Sequence, residues 1–286
     1  MTNKSIGFIG QGWIGKNYAD DFENRGFSVV RYSAEEPYIQ NRDKINDCDI
    51  VFIAVPTPTT ASGFDDSILR QVIKLIGDGK IAVIKSTIVP GTTRSIQDEN
   101  PNIFVCHSPE FLREVSAAND ASNPNRNIVG IPKDNEKFKV VANDIMKILP
   151  KAPYEKICSA DDAELVKYGG NCFLYFKLIY ANLFYDITQK LGGDWDIISD
   201  MISADPRIGS SHMKPVHKDG RGAGGNCFIK DFSAFTEMYK KLMVDDKYGL
   251  NVLDSLQKKN NKLLLDSDKD LDLLKDVFGE NVLDNK

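Results

Sequence analysis

The feature that most restricts the fold of this chain is Gly10-Gln11-Gly12-Trp13-Ile14-Gly15, set between a short apolar run, Ile6 to Ile9, and a helical pattern reaching about Arg25. Gly-x-Gly-x-x-Gly between strand and helix makes a tight turn, lets backbone approach a pyrophosphate and aims the helix N-terminus at its charge. An ordinary glycine-rich turn uses the same residues, so context decides. The context is alternation: strands at Phe27 to Arg31, Ile50 to Val55, Ile81 to Lys85, Ile103 to Val105 and Asn127 to Gly130, with helices at Ser67 to Ile76 and Asp134 to Leu149. This rhythm predicts an α/β fold, a Rossmann-type, largely parallel sheet with ligands at the carboxyl ends of its strands. Turn and polar residues gather at those ends: Pro56-Thr57-Pro58, Ser86-Thr87 with Pro90-Gly91-Thr92, and Ser108 to Glu114.

An NAD site expects an acidic residue at the end of the second strand to hold the ribose 2′-hydroxyl. Here that strand runs into Arg31-Tyr32-Ser33, and carboxylates come only at Glu35 and Glu36. Arg31 and Ser33 could receive a 2′-phosphate, so NAD is the expected cofactor and NADP stays open. The alternative is an exposed Arg31 with Glu35 or Glu36 reaching back.

From Ala160 to Leu191 the pattern becomes one long helix, with Ser159 as N-cap, Asp161, Asp162 and Glu164 at its positive end, and Gly192-Gly193 as its stop. This predicts a second, all-helical domain. Lys167 and Asn171, spaced i and i+4, share one face, as either a polar site or a snorkelling lysine beside an asparagine. Gly169-Gly170 inside the helix suggests close packing. Further on, Gly224-Gly225-Asn226-Cys227 precedes a helical pattern from Phe228 to Leu242, with Asp231 one turn beyond the cysteine. A cysteine at a helix N-terminus is activated as a thiolate; a buried core cysteine after a glycine turn is the other reading.

The net charge of -5 over 286 residues, 27% of them charged, argues against a nucleic-acid or membrane-surface binder. No run is apolar enough to span a membrane, and Met1 to Ser5 leads straight into a strand, so a cytoplasmic protein without leader is expected. The five cysteines (Cys48, Cys106, Cys158, Cys172, Cys227) have no Cys-x-x-Cys spacing and the three histidines no metal spacing, so neither disulfides nor a metal is expected.

Seven motifs in order resemble the UDP-glucose/GDP-mannose dehydrogenase family: Gly10-x-Gly12-x-x-Gly15, Val55-Pro56-Thr57-Pro58, Lys85-Ser86-Thr87 with Pro90-Gly91-Thr92-Thr93, Ser108 to Glu114, Ala163 to Tyr168 with Asn171, Asp205-Pro206-Arg207-Ile208-Gly209, and Gly224 to Asp231. The resemblance implies NAD-dependent, two-step oxidation of a nucleotide sugar, UDP-glucose first among them, from the C6 alcohol to the carboxylate through a thiohemiacetal and thioester on Cys227. By the same resemblance, Lys167 and Asn171 stabilise oxyanions, Thr87 and Asp231 hold water, and Glu110 is the base in hydrolysis. Glu114 and Lys230 lie on the nicotinamide side, with Pro56, Thr57, Ser86 and Thr87 along the cofactor. Glu110, Phe111, Leu112, Arg113, Glu114, Lys167, Asn171, Lys214, Gly224 and Cys227 are expected at the substrate, and Arg207 reaches the sugar of a neighbouring subunit. The long helix is the expected homodimer core.

The chain departs from the family pattern in ending where a C-terminal nucleotide-sugar-binding domain is expected. Val115, Asn226 and Ile229 replace the usual glycine, serine and proline. The loop before Gly224 is longer, and its Lys214, His217, Lys218 and Arg221 are candidates to hold a diphosphate in compensation. The expected organisation is a Rossmann domain over 1–158, a helical domain over 159–265 and an acidic tail over 266–286. A hydroxyacid dehydrogenase of the same two-domain plan, and an inactive dinucleotide-binding remnant, are the rival readings.

Overall fold

The computed structural model describes residues 4–60, 62–218 and 220–285; the first three residues of the expected leaderless start and the last of the expected tail lie outside them. In chain order the elements are β1 Ser5–Ile9, α1 Trp13–Asn24, β2 Ser28–Tyr32, β3 Ile50–Ile53, β4 Thr59–Thr60, β5 Gly63–Phe64, α2 Ser67–Val72, β6 Ile81–Ile84, α3 Thr92–Glu99, β7 Phe104–His107, α4 Ala117–Ser122, β8 Arg126–Ile131, α5 Glu136–Ile148 and β9 Tyr154–Ser159. They continue as α6 Ala160–Lys190, α7 Trp195–Ser203, β10 Val216–His217, β11 Gly220–Arg221, α8 Gly225–Leu242, α9 Lys247–Asp266 and α10 Leu271–Phe278. The chain divides into two compact units, Met1–Thr57 with Asp65–Lys167, and Pro58–Phe64 with Tyr168–Lys286.

In the first unit a seven-stranded sheet has the order β2-β1-β3-β6-β7-β8-β9. Neighbours pair parallel except β7 and β8, which meet antiparallel at His107 and Gly130. The expected α/β, Rossmann-type fold is therefore present, as a mixed sheet. β3 and β6 are buried throughout because helices cover both faces of such a sheet, which is why their sequences are unbroken apolar runs rather than alternating ones. Phe8, Phe22 and Phe52 pack together at its centre. Among the elements that the sequence rhythm does not anticipate are β9, α3, α4 and α7.

The start of α6 packs on the sheet of the first unit. Gly130 on β8 has no room for a side chain, since an added Cβ would lie 2.7 Å from the Ala163 Cβ and 2.8 Å from the Ala160 Cα. Ser159 caps α6 as expected, its Oγ accepting from Asp162 N at 3.1 Å. Glu164, fully buried, points into the start of α3, whose N-cap is Gly91 and so has no side chain of its own to offer. Its carboxylate accepts from Gly91 N at 2.7 Å, Thr93 N at 2.9 Å and Thr93 Oγ1 at 2.5 Å. Burial pushes the Glu164 pKa up, against the bonds from Thr93 and Gly91.

In the second unit, α6 continues to Lys190, and Gly192, at φ 69°, ends it, with Gly193 N returning to Thr188 O at 2.9 Å. A Cβ on Gly169 would meet nothing within 4 Å, so the close packing expected there does not explain that glycine. Tyr175 of α6 stacks on Phe232 of α8 at 3.9 Å between centroids, and Leu253 and Leu263 of α9 join the same cluster. This unit is helical apart from two short strand pairs, β4 with β5 and β10 with β11. Residues 266–286, expected as an acidic tail, instead contain α10, whose Leu274 and Val277 are buried with Ile229 and Leu264. The apolar residues of α10 sit at helical spacing among so many charges that composition hides the periodicity.

Glu164→Leu should therefore leave three donors without an acceptor and lower stability by about 2–4 kcal/mol, with a smaller loss in Glu164→Gln. Urea unfolding checks this: the midpoint should fall while the slope stays unchanged.

Candidate functional site

The glycine loop of the first unit has the geometry its spacing predicts. Gly10 sits at φ +90°, and an added Cβ would lie 2.1 Å from Ala54 O; one on Gly15 would lie 1.9 Å from Gly10 O. Around Gly12 nothing lies within 4 Å of that position, and as the N-cap of α1 it makes no side-chain cap bond. Backbone donors at the start of a twelve-residue helix thus face open space, which fits a pyrophosphate. Trp13 is exposed, Ile14 packs on the core, and Gln11 Nε2 donates to Gly10 O at 3.1 Å.

Arg31 is not exposed and is not reached by Glu35 or Glu36, contrary to one expectation. It is buried, and its guanidinium donates to Glu23 at 2.9 and 2.7 Å and pairs with Asp20 at 2.7 Å, both carboxylates coming from α1. Burial opposes its charge, but these carboxylates hold its pKa above the ordinary arginine value. Ser33 Oγ donates to Glu35 O at 2.8 Å within its own turn. Thr57 Oγ1 donates to Thr87 O at 2.7 Å, and Ser86 Oγ donates to Val55 O at 2.7 Å, so these two hydroxyls fasten the ends of β3 and β6 together. Pro56 beside them is exposed.

At the end of β7 the buried Glu110 and the buried Lys167 form a close pair, Nζ to Oε1 at 2.6 Å, with a second bond from Nζ to Glu110 O at 2.8 Å. Leu112 N donates to the other carboxylate oxygen at 2.7 Å. Arg126 lies over the Phe111 ring at 3.7 Å, while Arg113 is turned to Asp120 by bonds of 3.0 and 2.6 Å and Glu114 starts a short 3-10 turn. Two neighbours, Lys85 and His107, are not among the expected site residues. Lys85 is buried, donates to Ser108 Oγ at 3.1 Å and lies 4.4 Å from the Tyr18 ring centroid. Burial pushes its pKa down to about 7, Glu110 opposing and Lys167 adding to the fall. His107 is wholly buried with no hydrogen-bond partner among the described residues on either ring nitrogen, and burial with Lys85 nearby holds its pKa down to about 3. A lysine closing an apolar strand run was the one available signal.

In the second unit Asn171 Nδ2 donates to Asp231 Oδ2 at 2.6 Å, and Lys230 Nζ contacts Asp231 Oδ1 at the same distance. Asp231 is buried, but Cys227, one turn earlier on α8, is exposed. The helix starts at Gly225, three residues before the expected Phe228, so Cys227 is its third residue. None of the five cysteines is in a disulfide; Cys48, Cys106 and Cys172 are buried, and burial pushes each of their thiols up, to about 11, 12 and 12. Arg207 is exposed and paired with Asp205 at 2.5 Å. Lys214 is exposed on a cavity of about 520 Å³ that also touches Tyr185, Gln189 and Trp195. Arg221 leaves the expected diphosphate cluster, because its guanidinium is tied to Asn182 Oδ1 at 3.0 Å and Asp186 at 2.7 Å. Among the described residues no group of His, Cys, Asp and Glu could hold a metal, and no helix is long and apolar enough to cross a membrane.

Two family models match successive parts of the chain: the UDP-glucose/GDP-mannose dehydrogenase family NAD binding domain over residues 38–149 and its central domain over 161–262. The chain belongs to this family. The UDP-glucose 6-dehydrogenase of Rickettsia bellii is 30% identical over 249 residues, 84% of this chain and 56% of that protein. The chain thus spans about half the length of the curated relatives it matches. A UDP-glucose dehydrogenase structure from Pyrobaculum islandicum superposes with a TM-score of 0.77 at 25% identity, covering 91% of this chain and 68% of that one. A 3-hydroxyisobutyrate dehydrogenase from Mycobacterium tuberculosis shares the fold over 99% of both chains, with a TM-score of 0.70 and 15% identity. The glycine loop at 10–15 precedes the matched NAD binding domain segment, which begins at residue 38.

His107 makes stability pH-dependent. The unfolded imidazole takes a proton near pH 6.5, but the folded one refuses it until about pH 3, so stability falls as pH drops across that window. The slope from this group is at most about 1.4 kcal/mol per pH unit. His107→Leu should flatten the decline, gaining on the wild type between pH 6.5 and 4 in denaturant titrations.

Proposed function

We propose that this protein is an NAD-dependent nucleotide-sugar 6-dehydrogenase that oxidises UDP-glucose to UDP-glucuronate in two steps. The observation that carries this reading is Cys227: alone among the five cysteines it is exposed, and it lies in the first turn of an eighteen-residue helix, where backbone donors favour a thiolate. A hydroxyacid dehydrogenase, the rival that the shared fold keeps in view, has no use for such a residue.

The dinucleotide, when bound at the glycine loop, supplies the hydride acceptor, one molecule for each oxidation. Cys227 Sγ adds to the aldehyde carbon produced at C6, forming a thiohemiacetal; loss of the second hydride and the hydroxyl proton leaves a thioester. Water then cleaves the C–S bond, returning the thiol and releasing the carboxylate. Lys167 and Asn171 provide a cation and an amide donor for the oxyanions, Glu110 serves as the base, and Thr87 and Asp231 hold the water. The Lys167 pairing at 2.6 Å supports this division, since it holds the assigned cation beside the assigned base. Glu114 and Lys230 are assigned to the nicotinamide side, and Arg113, Lys214 and Arg207 to the sugar nucleotide. Arg31 favours NAD over NADP, because its guanidinium is already neutralised by Glu23 and Asp20.

We also propose a homodimer through α6, supported by Phe173, Tyr180, Leu183 and Ile187, all exposed and spaced seven, three and four residues apart along one stripe. Phe173→Asp with Ile187→Asp should convert a dimer to a monomer in analytical ultracentrifugation; a wild-type monomer refutes the proposal.

The purified protein should reduce two NAD per UDP-glucose, with UDP-N-acetyl sugars, GDP-mannose and NADP as competitors in the same assay. Cys227→Ser should stop the reaction after the first oxidation, with at least a 100-fold loss of uronate, on the order expected for a lost nucleophile. Absence of reduction with every nucleotide sugar, or one NAD per substrate unaffected by Cys227→Ser, would overturn the reading.

A further inference from the structure

Cys227 is delivered by a loop that cannot hold itself. Residues 220–225 include four glycines, and the N-cap of α8, Gly224, has no side chain with which to bind the first N–H groups of the helix. The polar backbone groups of this loop are satisfied instead by one later stretch of chain. Arg221 N donates to Ser267 Oγ at 2.9 Å, and Lys269 Nζ donates to Gly222 O at 3.1 Å. Asn260 bonds Ala223 in both directions, accepting at 2.7 Å and donating at 3.0 Å. Gly225 N, the first N–H of α8, donates to the Asp270 carboxylate at 2.8 Å.

The fit extends to the glycines themselves. A Cβ on Gly224 would lie 1.9 Å from Asp270 Oδ2, one on Gly220 would lie 2.7 Å from the Lys269 methylenes, and one on Gly222 would lie 3.0 Å from Asn260 Oδ1. Asp270 adopts φ 55°, ψ 34°, a left-handed conformation that a non-glycine residue holds only when its surroundings impose it. Ile229 supplies part of the imposition: where the family commonly has proline, this buried side chain packs with Leu264, Leu274 and Val277 on either side of the Asp268–Asp270 corner.

We infer that the segment from Asn260 to Asp270 is a strap that positions Cys227, and that Asp270 and Lys269 at its corner set the ionisation of that thiol from opposite sides. The inference rests on Cys227 being the nucleophile. Asp270 acts as the N-cap that Gly224 cannot be, which steadies the first turn. Its negative charge offsets the positive end of the α8 dipole, so the thiolate is less favoured than the helix alone would make it. Lys269, anchored on Gly222, opposes that charge. The other charged or titratable groups around this turn are Lys218 near Lys269, His212 packed on Phe228, Lys230 and Asp231 on α8, and Cys172 on α6.

Alkylation tests the strap without needing dehydrogenase turnover, so its failure is distinct from failure of the proposed reaction. Full-length protein is treated with iodoacetamide from pH 5 to 9, and the Cys227 peptide is followed by mass spectrometry. Asp270→Asn should lower the midpoint of the rate profile by about 0.5 pH unit, and Lys269→Met should raise it by a similar amount, both shrinking in high salt. Asp270→Glu, which keeps the charge, should return the midpoint to the wild-type value. Midpoints that coincide in Asp270→Asn and wild type, or that move the same way in Asp270→Asn and Lys269→Met, would overturn the inference. If Asp270→Asn fails to fold, Lys269→Met against Asp270→Glu decides by the same criterion.

Discussion

Glycine at the start of a helix leaves the first backbone donors without a side-chain acceptor, and this protein uses that condition three times. Each of α1, α3 and α8 has a glycine N-cap that makes no side-chain cap bond. At α3 the acceptor is Glu164, and at α8 it is Asp270, each a carboxylate from a distant part of the sequence. At α1 the space beyond Gly12 is open, and a pyrophosphate is the group whose charge and oxygen count suit it. At α3 and α8 the unpaired donors call for the same kind of partner, and only the origin of the carboxylate differs.

The same principle separates residues that hold the structure from residues that remain available for chemistry. Arg31, Arg113, Thr57, Ser86 and Arg221 all have the side chains expected of ligand-binding groups, yet each is occupied within its own unit by a carboxylate or carbonyl. Glu110 with Lys167, and Asn171 with Asp231 and Lys230, are also paired, but the pairs join groups whose proton or charge the proposed reaction would use. A buried ion pair contributes little net stability, because desolvation offsets its attraction. Its retention in the centre of a unit is better understood as serving the reaction than the fold. Lys85, buried beside the Glu110 pair with its pKa pushed down to about 7, adds a cation whose charge is conditional near neutral pH.

Much of the fold was legible because its signals are local. Gly10 to Gly15 between apolar runs, the unbroken strands β3 and β6, and the thirty-one residues of α6 with Ser159 before and Gly192 after are all readable from spacing. Element ends and short elements were less so: β9 has an exposed, charged beginning, and α7 is only nine residues long. The candidate site was legible as residue types in motif order, since Cys227, Asp231, Lys167 and Asn171 keep their spacing. Partners were not legible. Glu35 and Glu36 lie close to Arg31 in sequence, but Asp20 and Glu23 reach it because α1 returns along β2.

By itself the sequence determined the strand and helix rhythm, the glycine turn, the family and the residue types of the candidate site. These depend on spacing of one residue type against its near neighbours, which the linear chain records. Only the tertiary structure decided which anion caps which helix, which cations are already neutralised, and that Leu271–Phe278 packs against Ile229 of the Cys227 helix. Those outcomes depend on Glu164 lying 73 residues from Gly91 and Asp270 lying 45 from Gly225. No local pattern encodes such separations, because burial and charge compensation are settled only when the distant segments meet.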